Sequence, residues 1–298
     1  MRLEWAWLRD QRPIAAVASE ILLNGASRCR LLLFHGLTGC PAELGYLAHY
    51  VHSRGGFNVE CRALINHGQP IAVLARTRMA EIYAGARRDF ERAHAACAED
   101  GLPLVVGGLS LGAILSLMLA AEEPDAVSGV VCISPTLFYD GWNVPWTHRL
   151  IPLADYLPLK YFAYMREGPP YGLKNEALRA RVAAAYDSAS LYDHALATKV
   201  GYAHFPVALF CEMRHLIRQC MTLLSRVSAP LLLLQAEEDD ITSQRNSQFI
   251  YDRVASRRKE LVLLKRSYHV ITADDDREEV AAAVTAFCGE IADRAAAS

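Results

Sequence analysis

Six short runs rich in Val, Leu and Ile, bounded by Gly, Pro or Asp, alternate along this chain with longer segments of helical period. Runs that are apolar almost throughout suit strands covered on both faces. The alternation therefore predicts an α/β fold: βα units around a mostly parallel central sheet flanked by helices. The runs are Arg30 to Phe34, Phe57 to Leu64, Leu104 to Gly107, Val127 to Ile133, Pro230 to Gln235 and Glu260 to Leu264. Helical segments include Gly112 to Ala121 and Arg277 to Ala292, and in the latter Val280, Val284, Phe287 and Ile291 form one apolar stripe.

The alternation stops from about Pro135 to Val227. No buried strand is visible there, and Tyr139, Trp142, Trp146, Tyr156, Tyr161, Phe162 and Tyr164 crowd together among prolines. The expectation is a core formed by residues 1–134 and 228–298, interrupted by a helical cap at 135–227. The cap's clearest helix starts at Pro206 and carries Phe210, Met213, Ile217, Cys220 and Leu224 at helical spacing. A chain of 298 residues with 52% hydrophobic content can bury a core of this kind.

With 31 basic against 33 acidic residues, the net charge of -2 leaves no electrostatic footprint for nucleic acid or an anionic membrane, which points to a small-molecule partner. Eight cysteines are scattered without a C-x-x-C pair, as expected of free thiols in a reducing cytoplasm. Met1 to Asp10 carries Arg2, Glu4, Arg9 and Asp10 among its apolar residues and so lacks the apolar core and cleavage site of a signal peptide, and the longest apolar stretch, Leu109 to Ala121, is too short to span a bilayer. These features predict a cytoplasmic protein with no integral membrane segment.

The sharpest local signal is Gly108-Leu109-Ser110-Leu111-Gly112, directly after a predicted buried strand and before an apolar helical segment. A serine hydroxyl is a weak nucleophile, so it must project clear of the sheet toward a base, and a tight strand-to-helix turn achieves this. Flanking glycines remove side chains that would clash in that turn. The amide of Leu111, at the start of the helix, is then a donor for an oxyanion.

A base must take the serine proton, and histidine titrates nearest neutrality. His269, in Ser267-Tyr268-His269-Val270, follows the last predicted strand and precedes the final helix, which places it at the ligand-binding edge of the sheet. A carboxylate must orient the base, and after Pro230 to Gln235 come Glu237, Glu238, Asp239 and Asp240. Asp239 is preferred because the step Ile241-Thr242-Ser243 beyond it can pack down and turn the acid inward, with Asp240 as the alternative. The order Ser, Asp, His is that of the α/β-hydrolases. His35-Gly36-Leu37-Thr38-Gly39 offers a second oxyanion donor in the amide of Leu37.

Together with Asn66-His67-Gly68, these motifs resemble the bacterial carboxylesterase and monoacylglycerol lipase branch of the α/β-hydrolases, from about Leu31 to Ile291. The resemblance implies oxyanion amides at Leu37 and Leu111 and a cap that acts as a lid over an apolar acyl or alcohol pocket. Cys40-Pro41 after the oxyanion loop, Tyr83 where relatives often carry tryptophan, and the aromatic cap depart from that pattern. The expected chemistry is ester cleavage through an acyl-enzyme on Ser110, with no metal or organic cofactor. Two rival readings stand beside it. One is a thioesterase acting on acyl-coenzyme A or an acyl carrier protein, guided by basic residues such as Arg149, Lys160 or Arg166. The other is a catalytically silent fold that binds a small ligand or a partner.

Overall fold

A computed structural model describes residues 2–5, 20–187, 189 and 194–297; most of Met1 to Asp10, and Ser298, lie outside the described residues. The described strands are β1 (Arg2–Trp5), β2 (Glu20–Leu23), β3 (Arg30–Phe34), β4 (Asn58–Arg62), β5 (Leu104–Leu109), β6 (Gly129–Ile133), β7 (Ala163–Arg166), β8 (His204–Pro206), β9 (Leu231–Ala236) and β10 (Lys259–Leu264). Seven of them form one sheet in the order β10-β9-β6-β5-β3-β4-β2. Within it β2 runs antiparallel to β4 and the other pairs are parallel. This is the mostly parallel α/β sheet that the six runs predicted.

Every residue of β3, β5, β6 and β9 is buried. Successive side chains leave a strand on opposite faces, and the core divides accordingly. Leu31, Leu33, Val105, Val131 and Leu232 pack with the helices Gly45–Gly55 and Arg277–Ala296, whose Val280, Val284, Phe287 and Ile291 are the expected stripe. Leu32, Phe34, Val106, Cys132 and Leu233 face the helices Met79–Asp100 and Leu111–Glu122. Each such side chain contributes about 1.5–3 kcal/mol by leaving water.

Two features depart from the sequence reading. Strand β2 is an edge strand of four residues, Glu20-Ile21-Leu22-Leu23, that alternates between exposed and half-buried positions, and its apolar run of three is too short to stand out. The segment between β6 and β9 is also not purely helical, because β7 pairs antiparallel with both β1 and β8 in a small separate sheet. Strands of three and four residues are too short to show a period. The helix Val207–Leu223 does begin directly after Pro206, and its Met213, Ile217 and Cys220 join the cluster around the helix Leu111–Glu122.

The loops that follow β3, β5, β9 and β10 open at the carboxyl end of the parallel sheet, where ligands bind in open α/β folds. They carry Leu37, Ser110, Asp239 and His269 respectively.

Candidate active site

Between the end of β5 at Leu109 and the start of the next helix at Leu111, Ser110 alone must turn the chain. It does so at φ 56° and ψ −107°, a region that costs a non-glycine residue about 1–3 kcal/mol. Its N–H donates to the carbonyl of Ile133 at 2.9 Å, which anchors the turn to β6. A Cβ on either Gly108 or Gly112 would overlap the Phe34 carbonyl, so both glycines are required for strand and helix to close on β3. Ser110 is half-buried between fully buried neighbours. Leu111 opens the helix, where amides lack intrahelical acceptors.

His269 Nδ1 lies 2.9 Å from Asp239 Oδ2 and 3.1 Å from Oδ1. The Asp239 carboxylate is itself fixed. Its Oδ1 accepts the N–H groups of Ile241 and Thr242, both at 2.8 Å, and its Oδ2 accepts Gln235 Nε2 at 2.8 Å and the Thr242 hydroxyl at 3.0 Å. Asp240 instead holds the backbone of the base. Its Oδ1 accepts the His269 N–H at 3.2 Å, and its Oδ2 is buried with no partner among the described residues. Burial disfavours a charged His269 ring, but the carboxylate of Asp239, helped by Asp240 and Glu43, outweighs it and holds the pKa above the ordinary 6.5. Such a base becomes a stable imidazolium once it has taken a proton.

The loop after β3 is held by two histidines. His35 Nε2 accepts the Leu64 N–H at 2.9 Å, so its proton sits on Nδ1, which donates to the Gly36 carbonyl at 2.9 Å. Burial keeps His35 neutral by pushing its pKa well down. His67, from Asn66-His67-Gly68, places Nε2 2.7 Å from the Leu37 carbonyl. The Thr38 carbonyl accepts the N–H of Tyr202, from the inserted segment, at 2.8 Å.

Ser110, His269 and Leu37 border one cavity of about 560 Å³. The inserted segment supplies apolar walls to it, among them Val144, Ile151, Leu178, Val182, Phe205 and Phe210. Three polar residues of the site have no signature in the sequence. Thr136 Oγ1 lies 2.8 Å from Ser110 Oγ, and among the described residues this is the hydrogen bond that the serine hydroxyl makes. Glu43 and Glu167 lie deep but border the cavity, and burial pushes their carboxyls up to about 7 and about 8. Thr136 lies three positions after a predicted strand and Glu43 closely follows the predicted oxyanion loop, which is the only hint the sequence gives of either.

Comparison with known proteins now decides the family. The sequence model for serine aminopeptidase, S33, matches residues 27–276. The chain belongs to the serine aminopeptidase S33 family. This S33 protein is 26% identical to the thermostable monoacylglycerol lipase of Bacillus sp. (strain H-257), over 91% of its own length and 94% of that relative's. It is 23% identical to the carboxylesterase of Bacillus subtilis (strain 168), over 84% and 88% of the two chains. A soluble variant of monoglyceride lipase from Saccharomyces cerevisiae, solved with a substrate analog, shares its fold with a TM-score of 0.75 at 15% identity and covers 95% of each chain.

Proposed function

We propose that this S33 protein is a serine hydrolase of carboxylic esters, with Ser110 as nucleophile, His269 as base and Asp239 as the residue that orients it. The observation that carries the reading is the convergence on one cavity of an elbow serine and a histidine held by a fully hydrogen-bonded carboxylate. Rotation about χ1 takes the Ser110 hydroxyl from Thr136 toward His269. Ser110 Oγ then bonds to the acyl carbon as its proton passes to His269 Nε2, and the amides of Leu37 and Leu111 receive the oxyanion. Collapse breaks the bond to the alcohol oxygen, which takes the proton back from His269. Water repeats the sequence on the acyl-enzyme and frees the acid.

In this reading residues 135–227 act as the lid, and their apolar walls receive an acyl chain. The related monoacylglycerol lipase and carboxylesterase support an ester substrate. The basic residues that would favour a thioester of coenzyme A are largely engaged within the protein. Lys160 pairs with Asp155 at 2.8 Å, and Arg166 lies 3.1 Å from the Tyr186 carbonyl. A second reading, cleavage of an amide beside a free α-ammonium group, draws on the family's name and on Glu43 and Glu167 in the cavity. With these carboxyls pushed up to about 7 and about 8, neither is a standing anion near neutrality, which makes them poor partners for a cation. Eight free, buried cysteines support a cytoplasmic setting, and no described helix is long and apolar enough to cross a membrane.

The test is hydrolysis of p-nitrophenyl esters from acetate to palmitate by the wild type and by Ser110→Ala, with acyl-coenzyme A and aminoacyl p-nitroanilides in parallel. Ester turnover that disappears in the variant is expected. Faster turnover of anilides or thioesters than of every ester would replace this reading.

A further inference from the structure

Glu43 is not a member of the triad, yet the oxyanion loop is folded around its carboxyl. It sits in the short turn Pro41–Leu44 and its Oε1 accepts the N–H of Gly36. A Cβ on Gly39 would overlap Glu43 Oε2, so the loop lacks a side chain at the place where the carboxyl lies. Glu43 thus grips the loop one residue before Leu37 and fills the space two residues after it. The opposite side is held by His67 on the Leu37 carbonyl and by the Tyr202 N–H on the Thr38 carbonyl. Space alone would be filled more cheaply by an apolar side chain, because a buried carboxyl is costly unless its hydrogen bonds or charge are used.

We infer that Glu43 is a positioning residue: it holds the Gly36–Gly39 loop so that the Leu37 amide stays aimed at the oxyanion. The inference rests on the ester-hydrolase reading. Glutamine keeps an acceptor for the Gly36 amide that alanine lacks, so the two variants together test the grip on the loop.

The experiment compares wild type, Glu43→Gln, Glu43→Ala, Gly39→Ala and the Glu43→Ala/Gly39→Ala double variant, using the best p-nitrophenyl ester and the rate of fluorophosphonate labelling. Loss of one oxyanion donor typically costs about 10²–10³ in turnover, so loosening one should cost roughly 10–100-fold. Glu43→Ala and Gly39→Ala should each lose about that much in kcat and labelling rate with KM changed less than about threefold, and the double variant should be no slower than the worse single one. Glu43→Gln should recover most of the kcat and of the labelling rate, because it restores the acceptor for the Gly36 amide. Wild-type kcat in Glu43→Ala, multiplicative losses in the double variant, or a Glu43→Gln no faster than Glu43→Ala would each overturn the inference. If Glu43→Ala fails to fold, Gly39→Ala decides, and wild-type kcat there overturns the inference. A wild type inert to every ester and to the fluorophosphonate would instead defeat the reading beneath it.

Discussion

The sheet core and the segment inserted between β6 and β9 border the same cavity and contribute to it in opposite ways. The core presents polar groups at strand ends in closed sets of bonds, as at Asp239, which accepts from Ile241, Thr242 and Gln235 while it holds His269. The inserted segment presents apolar walls inward and large side chains outward, with Trp146 72% and Tyr156 87% exposed. Reaction chemistry needs atoms held within a fraction of an ångström, and selection of an acyl chain needs only volume and greasiness. On the proposed reading the core carries the reaction and the insertion carries the choice of substrate.

If that division holds, substitutions in the core should remove activity on every ester alike. Ser110→Ala should lower kcat by about 10⁴-fold or more with little change in Tm. Next in size, Asp239→Asn should cost about 10³–10⁴-fold by releasing the histidine tautomer, whereas Asp240→Asn should cost less than about tenfold. Equal losses at the two aspartates would break the assignment of the His269 partner. In the insertion, Phe210→Ala should change the palmitate-to-acetate ratio of kcat/KM by roughly tenfold and leave the acid limb of the pH profile in place. That limb should lie above pH 6.5, since the ring must be neutral to act as base and its pKa is held above that value; activity falls as pH drops through it. The smallest effect is expected at exposed Trp146, where alanine should alter stability by no more than about 0.5 kcal/mol in a thermal melt.

The same division separates what the sequence shows on its face from what only folding brings together. The strands β3, β5, β6 and β9 are legible because burial on both faces leaves continuous apolar runs. The elbow is legible because its serine and flanking glycines are contiguous between an apolar run and a helical segment, and His269 because its loop follows the last strand. The choice between Asp239 and Asp240 needs the fold, because which neighbour turns its carboxyl to an imidazole 30 positions away is a tertiary fact. Thr136 and Glu43 reach the site only when separate loops meet. The strands β7 and β8 escape a search by pattern because they are short and pair with each other and with β1, outside the large sheet.

The central claim is that Ser110 is the activated nucleophile. Its most direct test is to treat the protein with a fluorophosphonate, then locate the adduct by mass spectrometry of its peptides, with Asp239→Asn in parallel. One phosphonyl group on Ser110, formed far more slowly in Asp239→Asn, is the expected result. Absence of an adduct in the folded wild type, or an adduct on a different residue, would contradict the account.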